Sequence, residues 1–193
     1  MRAQTFGLVV VGLVLMGGNC SRARVESMNE MNAGVELAQM KRFTEAAESL
    51  ASHNDRLSRM PSIMPTTGYI SSRFSHSRLH PIFHEERPHP GVDISAPTGT
   101  PILAAAGGTV IQVGVGTGYG KMVTIDHGYG LVTRYAHLSK ALVEPGQRVK
   151  RGDEIALVGA TGIVTAPHLH YEVIVNGKQQ DPLKFVFPET IVD

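Results

Sequence analysis

From Gly68 onward the sequence alternates short β-branched runs with glycine-bearing turns, and this alternation restricts the fold more than any other feature. The runs are 109–113 (TVIQV), 122–126 (MVTID), 131–136 (LVTRYA), 154–158 (EIALV) and 168–175 (HLHYEVIV). They are short, they are bounded by turn-forming residues, and none sustains the three- and four-residue spacing of a helix. Segment 114–120 carries four glycines in seven residues, which predicts a turn. Gly128-Tyr129-Gly130 and Asn176-Gly177 predict hairpin connections, the latter a favoured two-residue turn. The expected fold class is mainly β: a compact antiparallel β-sheet or sandwich of roughly 125 residues, a normal size for one domain.

Ahead of it stands a boundary, 60–67 (MPSIMPTT), whose two prolines remove helical donors and favour extended backbone. Residues 21 to about 58 predict a helical segment. Val25, Met28, Met31 and Val35, then Met40, Phe43, Ala47, Leu50 and Leu57 give one apolar stripe, interrupted at Asn54 and after Val35. Such a stripe suits a short coiled coil, an αα-hairpin or a helix packed on the β domain, so segment 21–58 is expected to dock on a partner or on its own chain. At the N-terminus, Arg2 precedes the apolar run 6–16, which is shorter than the ~20 residues a membrane span needs and suits an export signal. Gly17, Gly18, Asn19 and Cys20 follow. That order resembles a lipoprotein signal, in which the cysteine is lipidated; Asn19 departs from the Gly, Ala or Ser usual there. The expected organisation is a signal peptide of lipoprotein type (1–20), a helical, coiled-coil-like segment with linker (21–60) and a catalytic domain (61–193). The expected location is the cell envelope or periplasm, with a membrane anchor at Cys20. One cysteine allows no intramolecular disulfide. A net charge of +1 from interspersed charges leaves no basic stripe, so no nucleic-acid partner is expected.

The chemistry lies in the histidines. His53, His76, His80, His84 and His127 fall outside any pattern, and His127 is expected to be structural. His89-Pro-Gly-Val-Asp93 separates an imidazole and a carboxylate by four positions. On a flat strand these would stand about 13 Å apart, too far to share an ion. Pro90-Gly91 instead predicts a bend that draws them together. His168 and His170 share one strand face about 6.6 Å apart and can reach one cavity. Two imidazoles and a carboxylate are ligands a catalytic zinc accepts while keeping a position open for water, whose pKa the ion lowers. His137 and His168 remain for proton transfer and oxyanion stabilisation. Segment 114–120 lacks the spacing of a phosphate loop and is expected to shape the cleft. Asp126 is a candidate supporting acceptor.

The stretch from about Gly68 to Phe185 resembles the lysostaphin-like, or LytM-type, zinc metallopeptidases that cleave peptidoglycan peptides. The matching motifs are His89-Pro-Gly-Val-Asp93 with 94–101 (ISAPTGTP), 118–128 (GYGKMVTIDHG) with 135–138 (YAHL), and 167–172 (PHLHYE). The resemblance implies one Zn²⁺ held by His89, Asp93 and His170. It implies catalytic roles for His137 and His168, as general base and transition-state stabiliser in either order. Arg78-Leu-His80-Pro81 matches a further family element, and Arg78 and Tyr119 are expected to bind substrate. The implied function is zinc-dependent endopeptidase action on peptidoglycan cross-links with a zinc-bound water as nucleophile. The alternative is a non-catalytic or latent regulator of cell-wall amidases.

Overall fold

The computed structural model describes residues 20–79, 82 and 84–186, with side chains from Leu37 onward. Residues 1–19 of the expected signal peptide and the side chain of Cys20, where lipidation is expected, lie outside what is described, as do His80 and Pro81. The described chain begins with α1 (Cys20–Ser58), a single helix of 39 residues, and not with an αα-hairpin. It ends where Met60-Pro61 makes further helix unfavourable. The chain divides into two compact units with the boundary between Leu50 and Ala51, so the last two turns of α1 fold with the β domain. There the side chains of Asp55, Arg56 and Arg59 reach residues 127–129: the Tyr129 hydroxyl donates to Asp55 Oδ2 at 2.8 Å, Arg59 Nη1 donates to the His127 carbonyl at 3.1 Å, and Arg56 lies 5.0 Å over the Tyr129 ring.

Twelve strands follow: β1 (Tyr69–Ser72), β2 (Ser75–Leu79), β3 (Glu86–His89), β4 (Val92–Ser95), β5 (Pro101–Leu103), β6 (Gly108–Gly116), β7 (Gly120–Gly128), β8 (Leu131–Ala141), β9 (Arg148–Val149), β10 (Glu154–Val158), β11 (His168–Val175) and β12 (Lys178–Gln180). Every pairing is antiparallel. Ten strands form one sheet with the spine β1-β4-β11-β8-β7-β6-β9, β10 bridging β5 to β8 and β12 extending β11; β2 and β3 form a separate ribbon. The mainly β, antiparallel fold expected of the sequence is therefore the fold observed.

The five predicted strands all form, and β6, β7 and β8 run further than expected. Gly114, Gly116 and Gly120 lie within the ladder, with Gly116 opposite Gly120, so only 117–119 turn. Asn176 and Gly177 both take positive φ (48° and 77°) between paired Val175 and Lys178, as a mirror-type two-residue turn requires. The core is made by inward residues of facing strands: Val92 and Ile94, Ile102, Val110, Val123 and Ile125, Tyr135 and Leu138, Ile155 and Val158, and Leu169, Tyr171 and Val173. These are essentially solvent-free. A short 3₁₀ turn, Pro182–Lys184, capped by Asp181, was not foreseen.

Candidate metal centre and cleft

Strand alternation on β11 builds the site. Leu169, Tyr171 and Val173 point into the core, so His168, His170 and Glu172 share the opposite face. β11 pairs with β4 so that His170 stands opposite Asp93. His89 arrives at the end of β3 across the Pro90-Gly91 bend that the sequence predicts. Only glycine fits at 91, since a Cβ there would stand 2.2 Å from the Tyr171 carbonyl oxygen.

Three donor atoms converge. His89 Nε2 lies 3.1 Å from Asp93 Oδ1, His170 Nδ1 lies 2.8 Å from the same oxygen, and the two nitrogens are 3.2 Å apart. Each ring's other nitrogen is engaged outside the cluster: His89 Nδ1 donates to the Arg73 carbonyl at 2.8 Å, and His170 Nε2 donates to Glu172 Oε1 at 3.1 Å. Those outer bonds fix the tautomers and aim both inner lone pairs at one point, which is how metal-binding histidines are held. A tetrahedral ion with nitrogen and oxygen ligands near 2.05 Å would separate them by roughly 3.3 Å, close to what is seen. The donor set therefore fits zinc by number, type and spacing, and it is the metal-competent His/Asp/Glu cluster found among the described residues.

Without a metal, protons occupy the same cluster and shift its charges. Burial raises the Asp93 carboxyl, but hydrogen bonds from His170 and His89 outweigh it and hold it well below the usual carboxylate range. Burial lowers His170, and the bonds to Asp93 and Glu172 outweigh that and raise it. Glu172, wholly buried, is raised by burial and lowered more by His170 and Tyr119, ending below its ordinary value. It also accepts from the Tyr119 hydroxyl at 2.7 Å and from Arg134 Nη1 at 2.9 Å. Burial and then the Glu172 bond push the Tyr119 phenol up to about 12.

A cleft of about 630 Å³ opens over the three donors, lined among others by Tyr69, Arg78, Tyr119, His137, Ile163 and His168. His137 and His168 face each other across it with ring centroids 4.7 Å apart. Their Nδ1 atoms donate to the carbonyls of Thr161 and Ala166, both at 2.9 Å, which leaves each Nε2 free as an acceptor. Burial pushes His137 down to about 4, so it is neutral at neutral pH. His168 Nε2 lies 3.7 Å from Asp93 Oδ1. His137 also has φ of 64°, a strained backbone for a residue with a side chain, and its amide is tied to the Tyr119 carbonyl at 2.8 Å.

All five metal-ligand and catalytic candidates thus meet in one cleft. Arg78 and Tyr119 line it, but both also have inward partners: Arg78 Nη2 sits 3.7 Å from Asp93 Oδ2, and the Tyr119 hydroxyl is committed to Glu172. Asp126 is not a supporting acceptor of the site; it caps the turn at the far end of β7, accepting from the Gly128 amide at 2.8 Å. His127 is structural as expected, bonded to the Gly107 carbonyl and Thr133 Oγ1. Glu172 and Arg134 were missed. The period-2 step from His168 through His170 leads to 172, and Arg134 lies directly opposite it on β8.

Comparison with known proteins agrees with this geometry. Residues 87–182 match the model of peptidase family M23. The catalytic domain of lysostaphin from Staphylococcus simulans superposes with a TM-score of 0.52 at 34% identity, covering 89% of that domain and 61% of this chain. The chain belongs to peptidase family M23. Within the family, a zinc-containing peptidase from Vibrio cholerae is 38% identical at a TM-score of 0.61, covering 71% of this chain and 41% of that one. The peptidoglycan DD-endopeptidase ShyA of Vibrio cholerae is 46% identical over 119 residues, which are 62% of this chain and 28% of that protein. The chain spans 36% and 28% of the length of the first two curated relatives it matches. M23 membership and the donor set make zinc the cofactor.

Proposed function

We propose that this chain is a zinc-dependent endopeptidase that hydrolyses peptide cross-links of bacterial peptidoglycan in the cell envelope. The observation that carries the reading is the meeting of His89 Nε2, Asp93 Oδ1 and His170 Nδ1 beneath a cleft that also holds the free Nε2 atoms of His137 and His168. A zinc ion held by the three donors would supply a Lewis acid for the scissile carbonyl and an acidified water. His137, neutral and with its acceptor lone pair facing the cleft, is placed to take the proton of the attacking water. His168, whose ring faces His137 across the cleft, is the remaining imidazole for the developing oxyanion and the leaving amine. Tyr119, Arg78 and Tyr69 at the rim would bind the peptide. The DD-endopeptidase name of ShyA favours a bond between D-configured residues. Export, a lipid anchor at Cys20 and docking through segment 21–58 complete the reading.

The test is digestion of purified peptidoglycan by the full chain, with and without a chelator, followed by zinc restoration and mass spectrometry of the products. Zinc-restored cleavage with fragment masses of opened cross-links is expected, and His89→Ala or His170→Ala should bind zinc below stoichiometry and release nothing. Intact cross-links in the presence of stoichiometric zinc would refute the catalytic reading and favour the amidase-regulator alternative. The mass of the N-terminal peptide from native membranes tests lipidation at Cys20.

A further inference from the structure

The C-terminal part of α1 shows large apolar side chains to solvent: Met40, Phe43, Leu50 and Leu57 are 67%, 75%, 61% and 46% exposed. With Ala47 and Asn54 they fall at 40, 43, 47, 50, 54 and 57, an uninterrupted three-four spacing. In heptad terms Met40, Ala47 and Asn54 are a positions, and Phe43, Leu50 and Leu57 are d positions. Asn54, which interrupts a simple apolar stripe, is therefore in register with it. A buried asparagine at a single a position is the device by which paired helices fix two-strandedness and parallel alignment.

The charges sort by the same register. From 40 to 59 every charged residue sits at b, c or f: Lys41, Arg42, Glu45, Glu48, Asp55, Arg56 and Arg59. The flanking g and e positions hold Gln39, Ala46 and His53, and Thr44, Ala51 and Ser58. Two copies aligned in parallel meet no like-charge repulsion along this seam, whereas a charged partner would find nothing there to pair with. Two of the flanking hydroxyls are already satisfied within the helix: Thr44 Oγ1 donates to the Met40 and Lys41 carbonyls and Ser58 Oγ to that of Asp55, so covering them strands no donor. In the last turns the side chains that bind the β domain are those of the b, c and f residues Asp55, Arg56 and Arg59, and Leu57 and Ser58 meet it only through their backbone carbonyls, on Arg151 and Gly107, which leaves the Leu57 side chain 46% exposed.

We propose that residues 40–57 of α1 pair with the same residues of a second copy of the chain as a parallel two-stranded coiled coil, with Asn54 facing its counterpart. The seam is about 27 Å long, short enough that the dimer forms reversibly.

The experiment uses the full chain in detergent with Cys20→Ser, so that an introduced thiol is the only one. Ala47→Cys on the seam should form a disulfide-linked dimer on mild oxidation, and Glu45→Cys on the back of the helix should not. Light scattering should give a dimer mass at tens of micromolar. Leu50→Asp should weaken the dimer on the order of 100-fold or more with helicity unchanged, and Asn54→Leu should tighten association and mix its stoichiometry. Monomer mass at all concentrations, cross-linking equal at 45 and 47, or association untouched by Leu50→Asp would overturn the proposal. Zinc content, measured on every variant, should stay constant, which separates this outcome from any failure of the peptidase reading.

Discussion

Glu172→Gln is the sharpest probe of how the metal centre is held. The wild-type carboxylate takes three donors: His170 Nε2 at 3.1 Å, the Tyr119 hydroxyl at 2.7 Å and Arg134 Nη1 at 2.9 Å. A glutamine of the same shape has one oxygen to offer. If its NH₂ faces His170, two donors oppose each other, and the imidazole must move its proton to Nδ1, the atom aimed at the metal. In either orientation the neutral amide deprives Arg134 of its counter-charge, at a cost of up to about 3–5 kcal/mol for breaking such a pair, and an NH₂ turned toward Arg134 also sets donor against donor. Both orientations lose stability, and the first also loses zinc affinity. Mutation of supporting groups around a metal typically lowers affinity 10- to 100-fold, or about 1.4–2.8 kcal/mol. Competition with a chromophoric chelator at neutral pH measures affinity on protein that is still folded, and thermal unfolding with and without zinc measures stability. The expected outcome is zinc binding at least tenfold weaker. A melting temperature that falls by many degrees while zinc affinity stays within twofold would refute the argument and leave Glu172 a core residue only.

His137→Ala should keep zinc and fold, yet lose about 10²–10⁴ in turnover on peptidoglycan, because a proton-transfer group is removed; His168→Ala should do likewise, and zinc analysis beside the activity assay checks both. In the metal-free chain, Asp93 and Glu172 are held below their ordinary values of 3.8 and 4.5. Their contribution is therefore fully present above about 4.5 and is lost as pH falls through the lowered folded values. His170 is raised above 6.5, so its contribution is present below that value and is lost as pH rises through the folded one. His137 and His127, both held neutral by burial, act in the opposite sense and cost stability as pH falls below 6.5, so metal-free melting temperatures across pH 3 to 9 should fall steeply on the acidic side; a rise on acidification from pH 6 to 4 would contradict the assignment. Gly91→Ala should destabilise by about 1–3 kcal/mol in denaturant melts and weaken zinc binding, because its Cβ must displace the Tyr171 carbonyl that the β3–β4 bend rests on.

Much of this was legible in the residues. The five strand runs, the Asn176-Gly177 turn and the bend at Pro90-Gly91 follow from local rules, since turn chemistry and strand period act over a few residues. The metal donors were legible by type and by family motif. Less legible were the groups that meet through long-range pairing. Arg134 finds Glu172 only because β8 and β11 lie side by side in one particular register. The Thr161 carbonyl reaches His137 from a loop 24 positions away. The extension of β6 and β7 through their glycines was hidden because ladder hydrogen bonds outweigh the weak strand propensity of glycine.

His137 shows why the site needs this particular scaffold. A non-glycine residue with φ of 64° costs on the order of 1–3 kcal/mol unless its surroundings hold it. Here three features do so. Its amide donates to the Tyr119 carbonyl, its Nδ1 to that of Thr161, and Leu138 beside it is fully buried in the core. The Thr161 backbone in turn packs so closely on Gly120 that a Cβ there would stand 2.4 Å from its carbonyl carbon. The β6–β7 hairpin therefore carries Tyr119 to Glu172 and, through its carbonyl, to His137. One loop then fixes both the group that supports a zinc ligand and the imidazole that faces the cleft. The proposed zinc ligand and the proposed proton-transfer group are thus held by a single element, so a change at Gly120 should impair both together.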